Sequence, residues 1–349
     1  VLGEQDLGHR IVVRRVVGTR AGRPVYSDAL GELVEVSDSH LTLTTRTGQV
    51  RVPITEVHRA KRVPPARRPA ADAVIELELA ADEAWPAPVR VRLGDWLLRA
   101  ADGWTGRANS ALPVGDPDRP LPAALDEVER WYAARGQQPL VTTPLPLAAP
   151  VGAELDLRGW GSRPTVLVQT VALPLLTTPP ETDLDAMPPE AELGAASRGA
   201  GLGAASSKPG GAVSAAVIEL ADEPSEQWLA VAASRKGGLP EAGRHVLTAV
   251  DQVRFAHAYV DGALVAVGRG TVTGQGRWLG LSLIEVLPPA RGQGHATALT
   301  RALGRWAQAA GATQAFLQVE QHNTPAVTLY RKLGFTTHHT YRTRTPPTP

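Results

Sequence analysis

Two short stretches of this chain hold residue types that can do chemistry. The first runs Val286-Leu-Pro-Pro-Ala-Arg291-Gly292-Gln293-Gly294-His295-Ala296-Thr297, between an apolar run and a segment of helical spacing. The first turn of a helix has unpaired N–H groups and the positive end of the peptide dipole. Glycines just before it let the backbone close on a phosphate and aim several amides inward. Arg291 adds charge. Strand, Gly-containing turn and helix read together as a pyrophosphate cradle, against the plainer reading of a turn with no ligand. A dinucleotide fingerprint needs a third glycine, where this chain has Ala296-Thr297. The Gly-Lys-Ser/Thr of a nucleoside-triphosphate loop is absent as well. The second stretch, residues 323–335, sets Asn323 and Tyr330 on an amphipathic helix. A phenol placed there either donates a proton or only packs.

These groups need elements to hold them. Residues 255–260, 263–273 and 278–287 read as strands, the first two joined by the hairpin signal Asp261-Gly262. A long helix over 292–310 is closed by Gly311. A strand at 315–319, a helix at 325–333 and a last strand at 335–344 follow. Before them come a strand at 213–220 and helices at 225–234 and 240–251, with Ser225 as an N-cap. Residues 177–211 are rich in Pro, Gly, Ala and Ser and bury too little surface to offset their ordering entropy, so they read as a flexible linker. Residues 72–176 form another unit: a strand at 74–79, a hairpin region over 89–100 and 105–114, a helix at 122–135 ended by Gly136, and strands at 140–147 and 166–176. Residues 6–63 hold short strands at 10–17, 30–36, 40–45 and 50–53, the last two split by a Thr47-Gly48 turn. That pattern suggests a small β-barrel and loosely resembles SH3-like barrels. Residues 60–69 read as a linker after it.

The second and third units share anchors at an offset of 175 residues. Trp131 and Gly136 match Trp306 and Gly311, and Arg158-Gly159-Trp160 matches Leu333-Gly334-Phe335. Three anchors in register point to a duplicated fold. The offset maps the cradle back to Asp116-Pro-Asp-Arg-Pro-Leu121. That stretch has no glycine, two prolines without amide donors and two carboxylates. It would repel a pyrophosphate, and Tyr330 maps to Leu155, so the first copy reads as a silent structural one.

With both stretches in view, the chain resembles the GNAT superfamily of N-acetyltransferases over about 130 residues, 212–344. Arg291-Gly292-Gln293-Gly294-His295-Ala296 satisfies that superfamily's Gln/Arg-x-x-Gly-x-Gly/Ala motif, and Asn323-x-x-Ala326-x-x-Leu329-Tyr330-x-x-x-Gly334-Phe335 looks like its second element. The resemblance implies an α+β multidomain chain: the barrel at 6–63, a degenerate GNAT-like unit at 72–176, the linker at 177–211 and a catalytic GNAT domain with a mixed sheet at 212–344. It implies acetyl-CoA as cosubstrate, lying between two splayed parallel strands. Backbone groups of Ile284 and Val286 would pair with the pantetheine, and amides from Gly292 through Gln293, Gly294, His295 and Ala296 to Thr297 would hold the pyrophosphate. Asn323 would bond the CoA arm and Tyr330 would protonate the leaving thiolate. In one branch of the superfamily a Glu lies twelve residues before the Tyr; here that position is Gln318. Glu285, Glu320 and His322 remain as bases, and Glu285, on the central strand, is the choice. The two copies are expected to pack together and hide sheet edges. The usual final strand is either missing or supplied by the first copy.

The chain has 349 residues, no cysteine, 43% hydrophobic and 20% charged residues, and a net charge of +1. Those figures allow two or three folded domains and exclude disulfides and thiolate sites. Adjacent His338 and His339 would point to opposite faces of a strand, so no metal is expected. No apolar run reaches membrane-span length and no secretory signal is visible, which fits a cytoplasmic protein. The Ala, Arg, Gly and Pro content suggests a high-GC bacterial gene. Residues 1–69 carry 12 Lys/Arg against 7 Asp/Glu, so the barrel is either a solvated basic face or a surface for an anionic or protein partner. The competing function is therefore an acyl-CoA-sensing binding protein whose basic barrel engages nucleic acid or another partner.

Overall fold

The computed structural model describes residues 3–20, 22–45, 48–63, 70–178, 216–234 and 238–347. Thr47, the Pro- and Arg-rich segment 64–69, residues 179–211 of the expected linker and the start of the strand expected at 213–220 lie outside them. Two compact units result, Val1–Arg68 and Pro69–Pro349.

The first unit holds β1 (Arg10–Arg20), β2 (Arg23–Val36), β3 (His40–Thr45), β4 (Gly48–Pro53) and β5 (Val57–Arg62). Alternation turns Ile11 and Val13 of β1 inward, where Leu33, Leu41, Leu43 and Val52 complete a small core. The sheet runs β4-β3-β2-β1-β5 and stays open, with β4 and β5 as its edges, in place of the expected closed barrel. Residues 60–62, expected in a linker, belong to β5. Ala60 lies opposite Val13 and packs on the core.

The second unit begins with α1 (Ala71–Glu83), where a strand was expected at 74–79. Val-Ile-Glu-Leu-Glu-Leu alternates in the strand manner. Its Ala, Glu and Leu content nevertheless favours a helix, and Val74, Leu77 and Ala81 fall on one helical face and are buried. There follow β6 (Val89–Leu93) and β7 (Trp96–Ala100), a hairpin; the 105–114 arm of the expected hairpin region gives only an antiparallel bridge of Leu112 to Leu97, reached through a loop with a 3-10 turn at Arg107–Asn109. Asn109 holds that loop. Its Oδ1 accepts from the amides of Ala101 and Gly103, and its Nδ2 donates to the carbonyls of Trp104 and Thr105, all within 2.9 Å. Next come α2 (Leu121–Ala133), β8 (Val141–Leu145), α3 (Ala149–Leu157), β9 (Gly161–Ser162), β10 (Val166–Ala172) and the short α4 (Leu173–Thr177). The helix reaches Thr177, the first residue of the expected linker. Beyond it lie β11 (Val217–Ala221), α5 (Glu226–Ser234), α6 (Glu241–Thr248), β12 (Val253–Val260), β13 (Ala263–Thr273), β14 (Trp278–Val286), α7 (His295–Ala309), β15 (Gln314–Glu320), α8 (Thr324–Lys332) and β16 (Thr336–Thr345). Ser225 Oγ caps α5 by accepting from the amide of Trp228 at 3.1 Å.

One mixed sheet joins both copies, in the order β11-β12-β13-β14-β15-β10-β16-β8, with β9 beside β16. Only β14 and β15 run parallel within this order. β10, from the first copy, lies between β15 and β16 and pairs with each antiparallel. The strand that the C-terminal half lacks is thus supplied by the N-terminal half. Alternation splits the sheet's side chains: Ala315, Leu317 and Val319 share a core with Leu299 and Leu303 of α7, while Phe316 and Val168 pack with Leu77 and Ala80 of α1. The repeat shows in detail: shifted by 175 residues, α3 coincides with α8. Trp160 N–H donates to Leu155 O at 2.9 Å, and its counterpart Phe335 N–H donates to Tyr330 O at 3.0 Å.

Candidate active site

The cradle is built as its sequence demands. Gly292 and Gly294 sit at φ 80° and 85°, in the left-handed region that favours glycine. A Cβ at either position would meet nothing within 4 Å, so the backbone conformation and not crowding calls for glycine, and the space above the loop is open. No backbone carbonyl accepts from the amides of residues 292–297, while the next, Ala298, bonds to Gly294 O. Six consecutive donors at the head of α7 are therefore left without a backbone acceptor, as at any helix start that can take an anion. Side chains finish the loop. Arg291 Nε donates to Val286 O at 3.1 Å, Gln293 Nε2 to Pro289 O at 3.3 Å, and the His295 ring is buried with its Nε2 3.3 Å from Gln293 Oε1. At the equivalent place in the first copy, the amides of Asp116 and Asp118 are occupied by the carboxylates of Asp95 and Asp116.

β14 and β15 pair from Trp278 with Gln314 to Leu281 with Leu317 and then part. At the parting, Leu283 and Ile284 stand opposite the single residue Gly268, a bulge. Leu283 is forced to φ 52°, a conformation that costs a non-glycine residue about 1–3 kcal/mol. The Leu287 amide bonds to Val265 O on the β13 side. Because strand amides alternate in direction, the Val286 amide faces the opposite edge, which has lost its partner strand. A Cβ on Gly268 would lie 2.8 Å from Ile284 Cδ1, so glycine opposite the bulge leaves room for Ile284.

A cleft of about 390 Å³ opens at the parting. Ile284 of β14, Gln318 and Glu320 of β15, and Asn323 and Tyr330 at α8 line it together. Asn323 Oδ1 caps α8, accepting from Ala326 N–H at 3.3 Å. Tyr330 is buried, its ring 5.7 Å from that of Phe335. Gln318 Oε1 accepts from the Tyr341 hydroxyl at 3.1 Å, and burial holds that phenol above its ordinary pKa. Glu285 stands apart from the cleft lining, its Oε1 3.6 Å from Arg291 Nη2. Glu320 lines the cleft and lies 3.1 Å from His322 Nε2. His338 and His339 touch at 2.8 Å, and His339 Nε2 meets Glu78 at 2.7 Å. Among the described residues no group of three or more His, Cys, Asp or Glu is placed to hold a metal, and no helix is long and apolar enough to cross a membrane.

One wall of the cleft comes from the first copy, which sequence reasoning treated as silent. Trp85, Thr105, Gly106, Arg107 and Arg163 line it. Trp85 stacks on Trp104 at 5.5 Å and has the guanidiniums of Arg107 and Arg269 at 5.3 and 5.4 Å. No spacing motif marks these residues; only the sheet shared between the copies brings them to the site.

A profile of the family described as "Probable histone acetyltransferase Rv0428c C-terminal" matches residues 72–216 and again residues 204–344. Probable histone acetyltransferase Rv0428c of Mycobacterium tuberculosis is 30% identical over 351 residues, covering 95% of this chain and 93% of that protein. Uncharacterized N-acetyltransferase YobR of Bacillus subtilis is 28% identical over 283 residues, covering 78% and 98%. Among solved structures, a GCN5-related N-acetyltransferase from Kribbella flavida shares the fold with a TM-score of 0.55 at 17% identity, covering 81% of this chain and 98% of that one. The family's profile falls once on each half of the repeat, with the cradle and the strand parting in the second. The chain belongs to the Rv0428c C-terminal acetyltransferase family and is an N-acetyltransferase of the GNAT type.

Proposed function

We propose that the chain transfers an acetyl group from acetyl-CoA to a primary amine by direct attack. The observation that carries this reading is the run of six unbonded amides behind Gly292 and Gly294, beside strands that part at Leu281. Pyrophosphate oxygens are the ligand such a donor array and dipole suit. Ile284 and Val286 offer backbone groups along the unpaired edge, and the Asn323 amide group supports the same arm. Acetyl-CoA supplies the thioester carbonyl that the amine attacks. The Val286 amide, on the edge away from β13, would bond the carbonyl oxygen as charge builds on it. Tyr330 holds the proton that the departing sulfur takes. Glu320, the carboxylate that lines the cleft, takes the amine's proton in preference to Glu285, which stands outside the lining.

Thiol release from acetyl-CoA, followed with a panel of amines that includes a histone-tail peptide, tests the reading. Tyr330→Phe should lower kcat about a hundredfold with acetyl-CoA affinity unchanged, and Glu320→Gln should shift the pH profile. Wild-type release that no amine accelerates would reject it.

A further inference from the structure

The charges around the cleft are unevenly matched. Arg107 and Arg163 line it, and neither has a carboxylate within 4 Å among the described residues. Arg107 Nε is buried and has no hydrogen-bond partner. A Cβ on Gly106 would come 2.7 Å from Arg163 Nη1, so the second guanidinium lies against the neighbour of the first. The acids packed nearby are already engaged. Glu78 holds His339 at 2.7 Å, and Asp82 holds Arg90 and Arg99. Asp102 lines an adjoining hollow that Arg163 also borders. Neutral Gln318 of β15 lines a small void that Arg107 shares with these two engaged acids, Glu78 and Asp82. A third cation lies behind Trp85. Arg269 is fully buried and donates only to the carbonyls of Leu247, Ala84 and Val246 and, at 3.5 Å, to Ser282 Oγ. Burial, then repulsion from Arg107, lowers its pKa to about 9, so it remains a cation at neutral pH. The one acid of the lining, Glu320, lies on the β15 wall.

Resting on the transferase reading above, we propose that Arg107 and Arg163 form an anion subsite for the acceptor, which is a small amine bearing a carboxylate or phosphate. The guanidinium fork matches either group in bidentate fashion. A cleft of about 390 Å³ is near the lower end for ligand sites and must also admit the acetyl end of the cosubstrate, which leaves room for a small molecule. Glu320 receives the ammonium end while the guanidiniums receive the anion. A lysine-rich tail brings the wrong charge to this wall. The N-terminal copy, with its cradle filled by its own carboxylates, thus becomes the acceptor-binding half.

The test uses the full chain with two readouts. Saturation-transfer NMR with aspartate and phosphoethanolamine as probes, without acetyl-CoA, measures the subsite itself and separates the carboxylate from the phosphate source. Amine-dependent thiol release, comparing those amines with spermidine and a lysine-rich peptide, measures turnover. Expected are saturable binding of at least one anionic probe, a tenfold or larger rise in its KM in Arg107→Gln and in Arg163→Gln, and unchanged acetyl-CoA affinity. Gln318→Glu, which places a carboxylate beside Arg107, should raise that KM too. Arg163 is exposed, so its variant is expected to fold even where Arg107→Gln does not. Preference for the cationic amines, or probe binding that survives in Arg163→Gln and Gln318→Glu alike, overturns the proposal. Probe binding that is lost in the variants while acetyl-CoA fails to bind the wild type upholds the anion subsite and removes the transferase reading.

Discussion

At the scale of single residues, the left-handed turn before α7 was legible because its backbone conformation is local. Two left-handed glycines and the donors they release are written in six consecutive positions. Gly294→Ala forces a Cβ into φ 85° and should cost about 1 kcal/mol of stability, read as a lower melting temperature, together with weaker acetyl-CoA binding. The wall carrying Arg107 and Arg163 was not legible, because these residues reach the cleft through packing between elements far apart in the chain. Glu285 lies on the strand expected for it, outside the cleft lining and 3.6 Å from Arg291. Two imidazoles, the buried His257 and the half-buried His338, set a pH dependence. Burial lowers the pKa of His257, and burial followed by His339 lowers that of His338, both below the ordinary 6.5. The unfolded chain therefore takes up these protons first as pH falls, and stability drops from about pH 6.5 downward. Melting temperatures between pH 8 and 5 should show that slope, and His338→Asn should flatten part of it.

Among the elements, periodicity worked where one face met one core, and failed where a segment's pattern served two purposes. The run 74–79 alternates like a strand, but α1 uses it to seat Leu77 on the sheet and to aim Glu78 at β16. Alternation alone could not weigh that tertiary partner. In the 105–114 segment Leu112 alone bridges β7, through Leu97, because Asn109 holds the chain before it in a loop by bonding Ala101, Gly103, Trp104 and Thr105. Glu78→Ala would leave the buried His339 without its carboxylate and should destabilise by about 2 kcal/mol, measurable by urea denaturation. Glu83→Ala, at the solvent-facing end of the same helix, should cost well under half of that, although it releases the amide of Gly274.

For the molecule as a whole, the offset of 175 residues made the duplication visible, while the exchange of β10 between the copies was left open by the sequence. Which strands pair across a long insertion depends on register energies that no local pattern records. With β10 seated between β15 and β16, residues 212–349 alone should not fold cooperatively. Co-expression with residues 69–178 should restore a single unfolding transition and the acetyl-CoA site together. A stable, active C-terminal half would show the shared sheet to be dispensable.

Calorimetric titration of the full chain with acetyl-CoA probes the six amides at the head of α7. Saturable one-to-one binding is expected in the wild type. It should disappear in the Arg291→Glu, Gly294→Asp double variant, which retains its melting transition. A folded wild type that takes up no acetyl-CoA, or a double variant that binds it equally well, would contradict the assignment of this loop as the cosubstrate cradle.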